Sequence, residues 1–361
     1  MDHHQLTDLR LRDFQPRPSL RIAENLMPRS ATPAVDAHNH LGRWHAYQQL
    51  GVWSDEHWRV KDVAALVRMM DEVNIATIVN LDGSWDDELE RNLDRYDRAF
   101  PGRFISYCRI DWSTTTETGW PERIARSITD SAARGACGVK LWKDIGLRRR
   151  DEHGELIFLD DPRLEGMWAA INEANLPIAV HTADPAAFFA PLDRHNERIE
   201  ELAAHPDWQF MHPQFPPLQR LLDSLESAVA ANPGITFVGA HVGCYAEDLD
   251  WVDGMLTRYP NFAVDIAARI AELGRQPRRA KRLIESHPSR VIFGSDVSPP
   301  TAEDYAIYFR FLQTADEHFT YQAQEPPSTG RWRISALDLS PEQAAAIAGE
   351  NARTLIPALR S

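Results

Sequence analysis

Short apolar runs alternate with helix-period segments along this chain. The runs are Ala34 to His38, Ile75 to Leu81, Phe104 to Ile110, Cys137 to Trp142, Pro177 to His181, Ile235 to His241, Phe262 to Ile266 and Val291 to Gly294, eight candidate strands in all. They are continuous rather than strictly alternating, as expected of parallel strands covered on both faces. Between them, Val63, Leu66, Val67 and Met70 fall at i, i+3, i+4 and i+7, and Leu164, Met167, Trp168 and Ile171 repeat that spacing behind an Asp161-Pro162 start signal. Leu249, Val252 and Leu256 form a third stripe, and Ser340-Pro341-Glu342-Gln343 reads as a capping box opening the last helix, through about Leu355.

Eight strands alternating with helices predict an α/β chain folded as a (β/α)8 TIM barrel, which needs about 250 residues plus insertions. A doubly wound sheet is the alternative. No glycine-rich loop follows the first strand, so neither a dinucleotide fingerprint nor a P-loop is present. Residues 1–30, rich in charge and carrying Pro16, Pro18 and Pro28, read as an N-terminal arm, and residues 31–361 as one barrel domain. Residues 297 to about 335 read as a long irregular insertion after strand eight, holding Phe309, Phe311, Phe319, Tyr321 and Trp332. In a barrel it would lie over the catalytic mouth.

Composition narrows the function. Hydrophobic residues make up 43% and charged residues 25% of the 361, which excludes a disordered, collagen-like or coiled-coil chain. Lys and Arg number 39 against 53 Asp and Glu, a net charge of −14, so nucleic acid is a poor partner, while the balance says little about small-molecule substrates, whose pocket can oppose the global charge. Three cysteines are too few for a disulfide framework or a cysteine zinc site and suit a reducing cytoplasm. The opening Met-Asp-His-His-Gln-Leu-Thr-Asp has no basic stretch followed by an apolar core. Ser227 to Ala246 is uncharged, but Asn232-Pro233-Gly234 and His241 break it, and it reads as helix end, turn and buried strand rather than a membrane span.

The chemistry lies at strand ends. In Asp36-Ala-His38-Asn-His40, the two histidines sit two residues apart and share a face. At the carboxyl end of a barrel strand that face is the mouth, where two imidazoles can hold one divalent metal. Strands five, six and eight end in His181, His241 and Asp296. Singly, such residues are structural histidines and helix caps. In register with the strand count, they point to a common site.

This pattern resembles the amidohydrolase superfamily, with His-x-His on strand one, His on strands five and six and Asp on strand eight. Gly138-Val139-Lys140, Gly294-Ser295-Asp296 and the closing Glu350-Asn351-Ala352-Arg353 are most similar to the branch that includes aminocarboxymuconate-semialdehyde decarboxylase and related decarboxylases and hydrolases. The resemblance runs from about residue 33 to the C-terminus. It implies that His38, His40, His181 and Asp296 ligate one divalent metal, zinc first and manganese next, with His241 beside it facing water or substrate. Asp296 is then a ligand only, or a ligand and general base. Such a metal lowers the pKa of its water from about 15.7 toward 7. The implied reaction is hydrolysis of a C–N or C–O bond in a small amide, lactone or ring substrate, or non-oxidative decarboxylation of an aromatic or unsaturated acid on the same ligands. A homodimer is a further expectation from the resemblance.

Other residues carry two readings each. Lys140 is either a carboxylated bridge between two metals or a lysine paired with a carboxylate, and Lys143 competes for the site. Asp265 and Arg269 form a salt bridge one turn apart, or Arg269 is a carboxylate clamp over the pocket. Trp142 and Tyr245 are pocket walls or ordinary packing. His212 belongs to a proline-rich lid segment, and Arg148-Arg149-Arg150 to a solvated turn or an anion site.

Overall fold

The apolar runs fold as parallel strands. The computed structural model describes residues 7–43 and 54–360. The opening sequence and the first six residues of the arm lie outside them. In chain order the strands are β1 (Ala34–Asn39), β2 (Ile75–Asn80), β3 (Phe104–Ser106), β4 (Cys108–Arg109), β5 (Val139–Leu141), β6 (Ile178–Val180), β7 (Phe237–Gly239), β8 (Phe262–Asp265) and β9 (Val291–Ile292). The third apolar run is thus split at Tyr107. The pairing orders are β1-β2-β3 and β4-β5-β6-β7-β8-β9, all parallel. Tyr107 bridges the split, its N–H donating to Asn80 O and its carbonyl accepting from Gly83 N. Two backbone bonds join the last stave to the first: Ala37 N donates to Phe293 O and Asp296 N to His38 O. The architecture is a (β/α)8 barrel.

Nearly every strand residue is buried, which is why the runs read as continuous. Alternate positions serve two layers. Val139, Leu141, Ile178, Val180, Phe237 and Phe262 pack outward under the helices. Val35, Val79, Ile105, Ala179, Val238 and Ile292 fill the interior, closed by Ala352 and Ile356 of the C-terminal segment. Lys140, between two outward residues, therefore enters the barrel.

The helices follow the expected stripes. Helix α1 (Val63–Val73) is capped by the Asp62 carboxylate and buries Val63, Leu66, Met70 and Val73. Helices α2 (Trp120–Arg134), α3 (Glu165–Glu173), α4 (Leu218–Ala231), α5 (Leu249–Arg258) and α6 (Pro277–Ser286) cover successive strands. Asp161 caps the turn leading into α3, and Ser340 and Gln343 form the reciprocal capping box. Residues 227–246 divide into the end of α4, a turn, β7 and a short helical turn, Ala240–Gly243, in which His241 and Val242 have positive φ. Among the described residues, no helix is long and apolar enough to cross a membrane.

The segment after strand eight differs from expectation. Residues 302–313 are regular helix, α7 (Ala302–Gln313), opened by a Thr301–Asp304 capping box. Tyr305, Tyr308, Phe309 and Leu312 make its buried stripe, so these aromatics are core. The irregular parts are residues 297–301 and 314–340. The arm lies against the second: Asn25 bonds Asp316 through its backbone N–H and its side-chain amide, and Arg331 donates to Phe14 O.

Candidate active site

Strand eight's last residues set the site. Gly294 packs on β1 so closely that a Cβ there would stand 2.6 Å from His38 Cβ. Two residues on, Asp296 adopts φ +58°, a left-handed turn open to aspartate. Its carboxylate faces the mouth with 25% of the side chain exposed. Three buried imidazoles surround it. His40 Nε2 lies 3.4 Å from Oδ1, His38 Nε2 3.8 Å from Oδ1 and His241 Nε2 3.8 Å from Oδ2. A register shift in β1 between Asp36 and Asn39 accompanies the inward turn of both His38 and His40.

The far side of each ring is tied. His38 Nδ1 is 2.8 Å from Asp265 Oδ2, His40 Nδ1 is 2.9 Å from Asp82 Oδ1, and His241 Nδ1 is 2.8 Å from the Ala267 carbonyl. A carbonyl only accepts, so His241 carries its proton on Nδ1, and an ionised carboxylate imposes the same tautomer on His38 and His40. Three Nε2 lone pairs are then directed at carboxylate oxygens. Acceptors facing acceptors repel, and a cation among them reverses the sign. Lys140 Nζ, 3.3 Å from His38 Nε2, is the donor the protein itself supplies. Ligand atoms of His38, His241 and Asp296 all lie within 4.8 Å of one another. This nitrogen and oxygen donor set fits a divalent metal.

Electrostatics keep His38 and His241 neutral and able to ligate. Burial drives His38 and His241 well below the ordinary histidine pKa. Burial also lowers Lys140, against the pull of Asp296 and Asp265. Asp265 is pushed up to about 6 by burial, opposed by bonds from the His241 and Ala267 N–H groups. Burial alone would raise Asp82, but His40 and the Arg109 and Arg59 guanidinium groups hold it well below the usual range.

His181 stands next to this cluster, its ring centroid 4.5 Å from that of His241. Its Nε2 is buried without a hydrogen-bond partner, 3.4 Å from Asp184 Oδ1. Asp184 is committed to Lys143. Burial lowers the His181 pKa to about 4. In the unfolded chain it returns to about 6.5. Between those values the unfolded state binds a proton that the folded state refuses, so stability is lost as pH falls from 6.5 toward 4. Metal-free wild type should therefore lose about 2 kcal/mol more than His181→Asn between pH 7 and pH 5, measured by urea denaturation. Equal losses in the two proteins would contradict a neutral buried His181.

The mouth is a cavity of about 500 Å³ whose walls include His40, His181, His241, Asp296, Trp142 and Arg269. Tyr321, Gln322 and Thr329 of the segment beyond α7 line it too. Trp142 lies 5.1 Å from the His40 ring and 6.0 Å from His181. Tyr245 is elsewhere, edge-on to Trp251 and outside the cavity lining. Lys140 lies inside the barrel, while Lys143 is at the rim. Asp265 spends its carboxylate on His38 and two backbone N–H groups and makes no ion pair with Arg269 among the described residues. His212 is exposed, and Arg148, Arg149 and Arg150 bond Asp207 O, Asp144 and Gly154 O on the surface. The residues that pattern reading did not supply are Asp82, Asp184 and the role of Asp265. Each stands at or just beyond a strand end, the one signal that marks them.

Comparison with known proteins agrees with this architecture. The family model described as Amidohydrolase matches residues 35–357. No curated protein matches the chain. Among solved structures, the fold is similar to 2,6-dihydroxybenzoate decarboxylase from Rhizobium, at 14% identity over 90% of this chain and 99% of that one, with a TM-score of 0.56. It is also similar to a dihydroxybenzoic acid decarboxylase from Polaromonas with bound manganese and an inhibitor, at 15% identity over 91% and 98%, TM-score 0.57. A candidate 2-pyrone-4,6-dicarboxylic acid hydrolase from Pseudomonas putida matches at 14% over 90% and 98%, TM-score 0.50.

Proposed function

Because the chain belongs to the amidohydrolase family, we propose that it is a metal-dependent hydrolase that cleaves a C–N or C–O bond in a small amide, lactone or ring substrate. The observation that carries this is the Asp296 carboxylate, partly exposed to the cavity and ringed by three imidazole Nε2 atoms at 3.4 to 3.8 Å. His38, His40, His181 and Asp296 would hold the ion, the buried Nε2 of His181 having no hydrogen-bond partner of its own, with His241 beside it, its ligand atom within 4.8 Å of those of His38 and Asp296. Zinc fits the nitrogen ligands, and manganese fits the mixed donor set. When bound, a divalent ion supplies Lewis acidity and brings the pKa of water toward about 7. Asp296 accepts the proton from the attacking water and returns it to the leaving nitrogen or oxygen. His241, its Nδ1 proton fixed on Ala267 O, offers Nε2 as an acceptor that orients water or substrate.

That tautomer favours hydrolysis over carbon protonation. Decarboxylation needs a proton donor at the carbon left behind, and the neutral His241 and His38 rings present lone pairs. The decarboxylase reading keeps support from the similar solved structures, and there a protonated Asp296 would be the donor.

Elemental analysis tests the centre, on protein purified without chelator or nickel resin. We expect about one zinc or manganese per chain, absent from a His38→Ala/His40→Ala protein. About two would bring in Lys140 as a bridge. Loaded protein is then assayed against lactones, amides and aromatic acids with carbon dioxide detection. Hydrolysis without carbon dioxide is the expected outcome. Carbon dioxide release from an acid would overturn the hydrolase assignment in favour of the carboxy-lyase.

A further inference from the structure

Four cationic side chains line the cavity, and three are already neutralised. Arg59 pairs with Asp82, Lys143 with Asp184, and Arg198 with Glu201 and Glu272. Arg269 has no carboxylate within ion-pair distance among the described residues. Among the described residues its side chain makes one hydrogen bond, from Nη1 to its neighbour Ala268 O, 2.8 Å, and its Nε is buried with no partner. The side chain is only 7% exposed. A guanidinium taken out of water without an anion is costly, so an anion that completes it is held firmly.

The backbone presents Arg269 in advance. Ala268 sits at φ +52°, and its N–H is held by the Tyr308 hydroxyl at 2.9 Å, which itself donates to Ser295 O at 2.8 Å. One tyrosine thus ties the Arg269 turn to the residue before Asp296. Glu247 and Glu201 both feel the Arg269 charge, but Glu247 bonds Ala186 N through Oε1, Glu201 is paired with Arg198, and neither forms an ion pair with Arg269 among the described residues. Arg269 lines the same cavity as Asp296, His40, His181 and His241, and among the described residues it bonds none of them, so an anion on it lies beside the reactive cluster.

We propose that Arg269 is the anion subsite of this cavity, and that the substrate is a small carboxylic acid whose carboxylate sits on Arg269 while another bond meets Asp296. The inference rests on the cavity being the substrate site, as in the reading above, and leaves open which bond is cleaved other than the one to the Arg269-bound carboxylate. With that carboxylate spent on Arg269, it is a spectator in the reaction.

Calorimetric titration with benzoate and benzamide tests this, since the two share a planar ring that suits the Trp142 and Tyr308 walls and differ in charge. Wild type, Arg269→Gln and Arg269→Lys are each titrated with metal and after chelation. We expect benzoate to bind wild type at least about tenfold more tightly than benzamide, and Arg269→Gln to lose that preference. Arg269→Lys should keep part of it, because a point charge replaces a planar fork. The preference should survive chelation. Benzoate binding that is unchanged in Arg269→Gln and lost on chelation places the carboxylate at the metal and overturns the subsite. Should Arg269→Gln fail to fold, equal affinities of wild type for the two probes, or no benzoate binding, overturn it as well. Absence of turnover on every hydrolase substrate would leave these titrations readable, so the two readings fail separately.

Discussion

Asp296→Asn should keep its fold and lose turnover by at least about 10²-fold, the range for removing a positioned acid–base group. The residue occupies φ +58°, where asparagine is as much at home as aspartate. Its backbone N–H bond to His38 O involves no side-chain atom. The Asn amide can donate to an imidazole Nε2, so the cluster is not left wholly unpaired. What it cannot do is carry negative charge or take up a proton. Ligation weakens with the charge, so turnover is compared at saturating metal, with metal content and urea stability measured alongside. Full metal content with lost turnover assigns Asp296 a base role beyond ligation. Wild-type turnover would refute its place in the chemistry.

The site's framework was legible because it is linear information. Each of His181, His241 and Asp296 terminates its own apolar run, and His38 and His40 obey the two-residue spacing of a strand. The supports were not, because they depend on which strands are neighbours. Asp82 reaches His40 only because β1 and β2 pair with Asn39 opposite Asn80. Asp265 and Arg269 have helical spacing, which invites a salt bridge. Asp265 in fact ends β8 and turns to His38, and the left-handed Ala268 sends Arg269 to the cavity instead. Helix α7 did have a readable stripe at Tyr305, Tyr308, Phe309 and Leu312 and a Thr301 cap. In the sequence its aromatics read instead as part of an irregular insertion over the mouth, and only packing shows them to be core.

The most destabilising single change expected is at Asp36, the first residue of the Asp-x-His-x-His pattern and one that touches no substrate. Its side chain is wholly buried with no cationic partner, and burial raises its pKa. Alone, such a carboxylate would be a liability. Five donors offset the cost: the His38 and Ser295 N–H groups at 3.2 and 2.9 Å, the Ser295 hydroxyl at 2.6 Å, the Tyr305 hydroxyl at 2.8 Å and the Asn39 amide at 2.9 Å. These come from β1, the strand-eight turn and α7, so Asp36 fastens the seam where the barrel closes, and its partner Ser295 is one residue from Asp296. In Asp36→Ala the Asn39 amide keeps Ser295 Oγ and Val297 O as acceptors. The two backbone N–H groups and the Ser295 and Tyr305 hydroxyls are left buried without that acceptor. At about 1–3 kcal/mol for each orphaned donor, the loss should reach about 3–5 kcal/mol, read by urea denaturation. Asp36→Asn, which keeps one carbonyl oxygen but turns an amide toward donors, should recover only part of it. Turnover should fall in both variants, since the Ser295 turn that carries Asp296 is no longer held. An Asp36→Ala protein within about 1 kcal/mol of wild type would mean that water replaces the carboxylate at the seam and that closure does not depend on it.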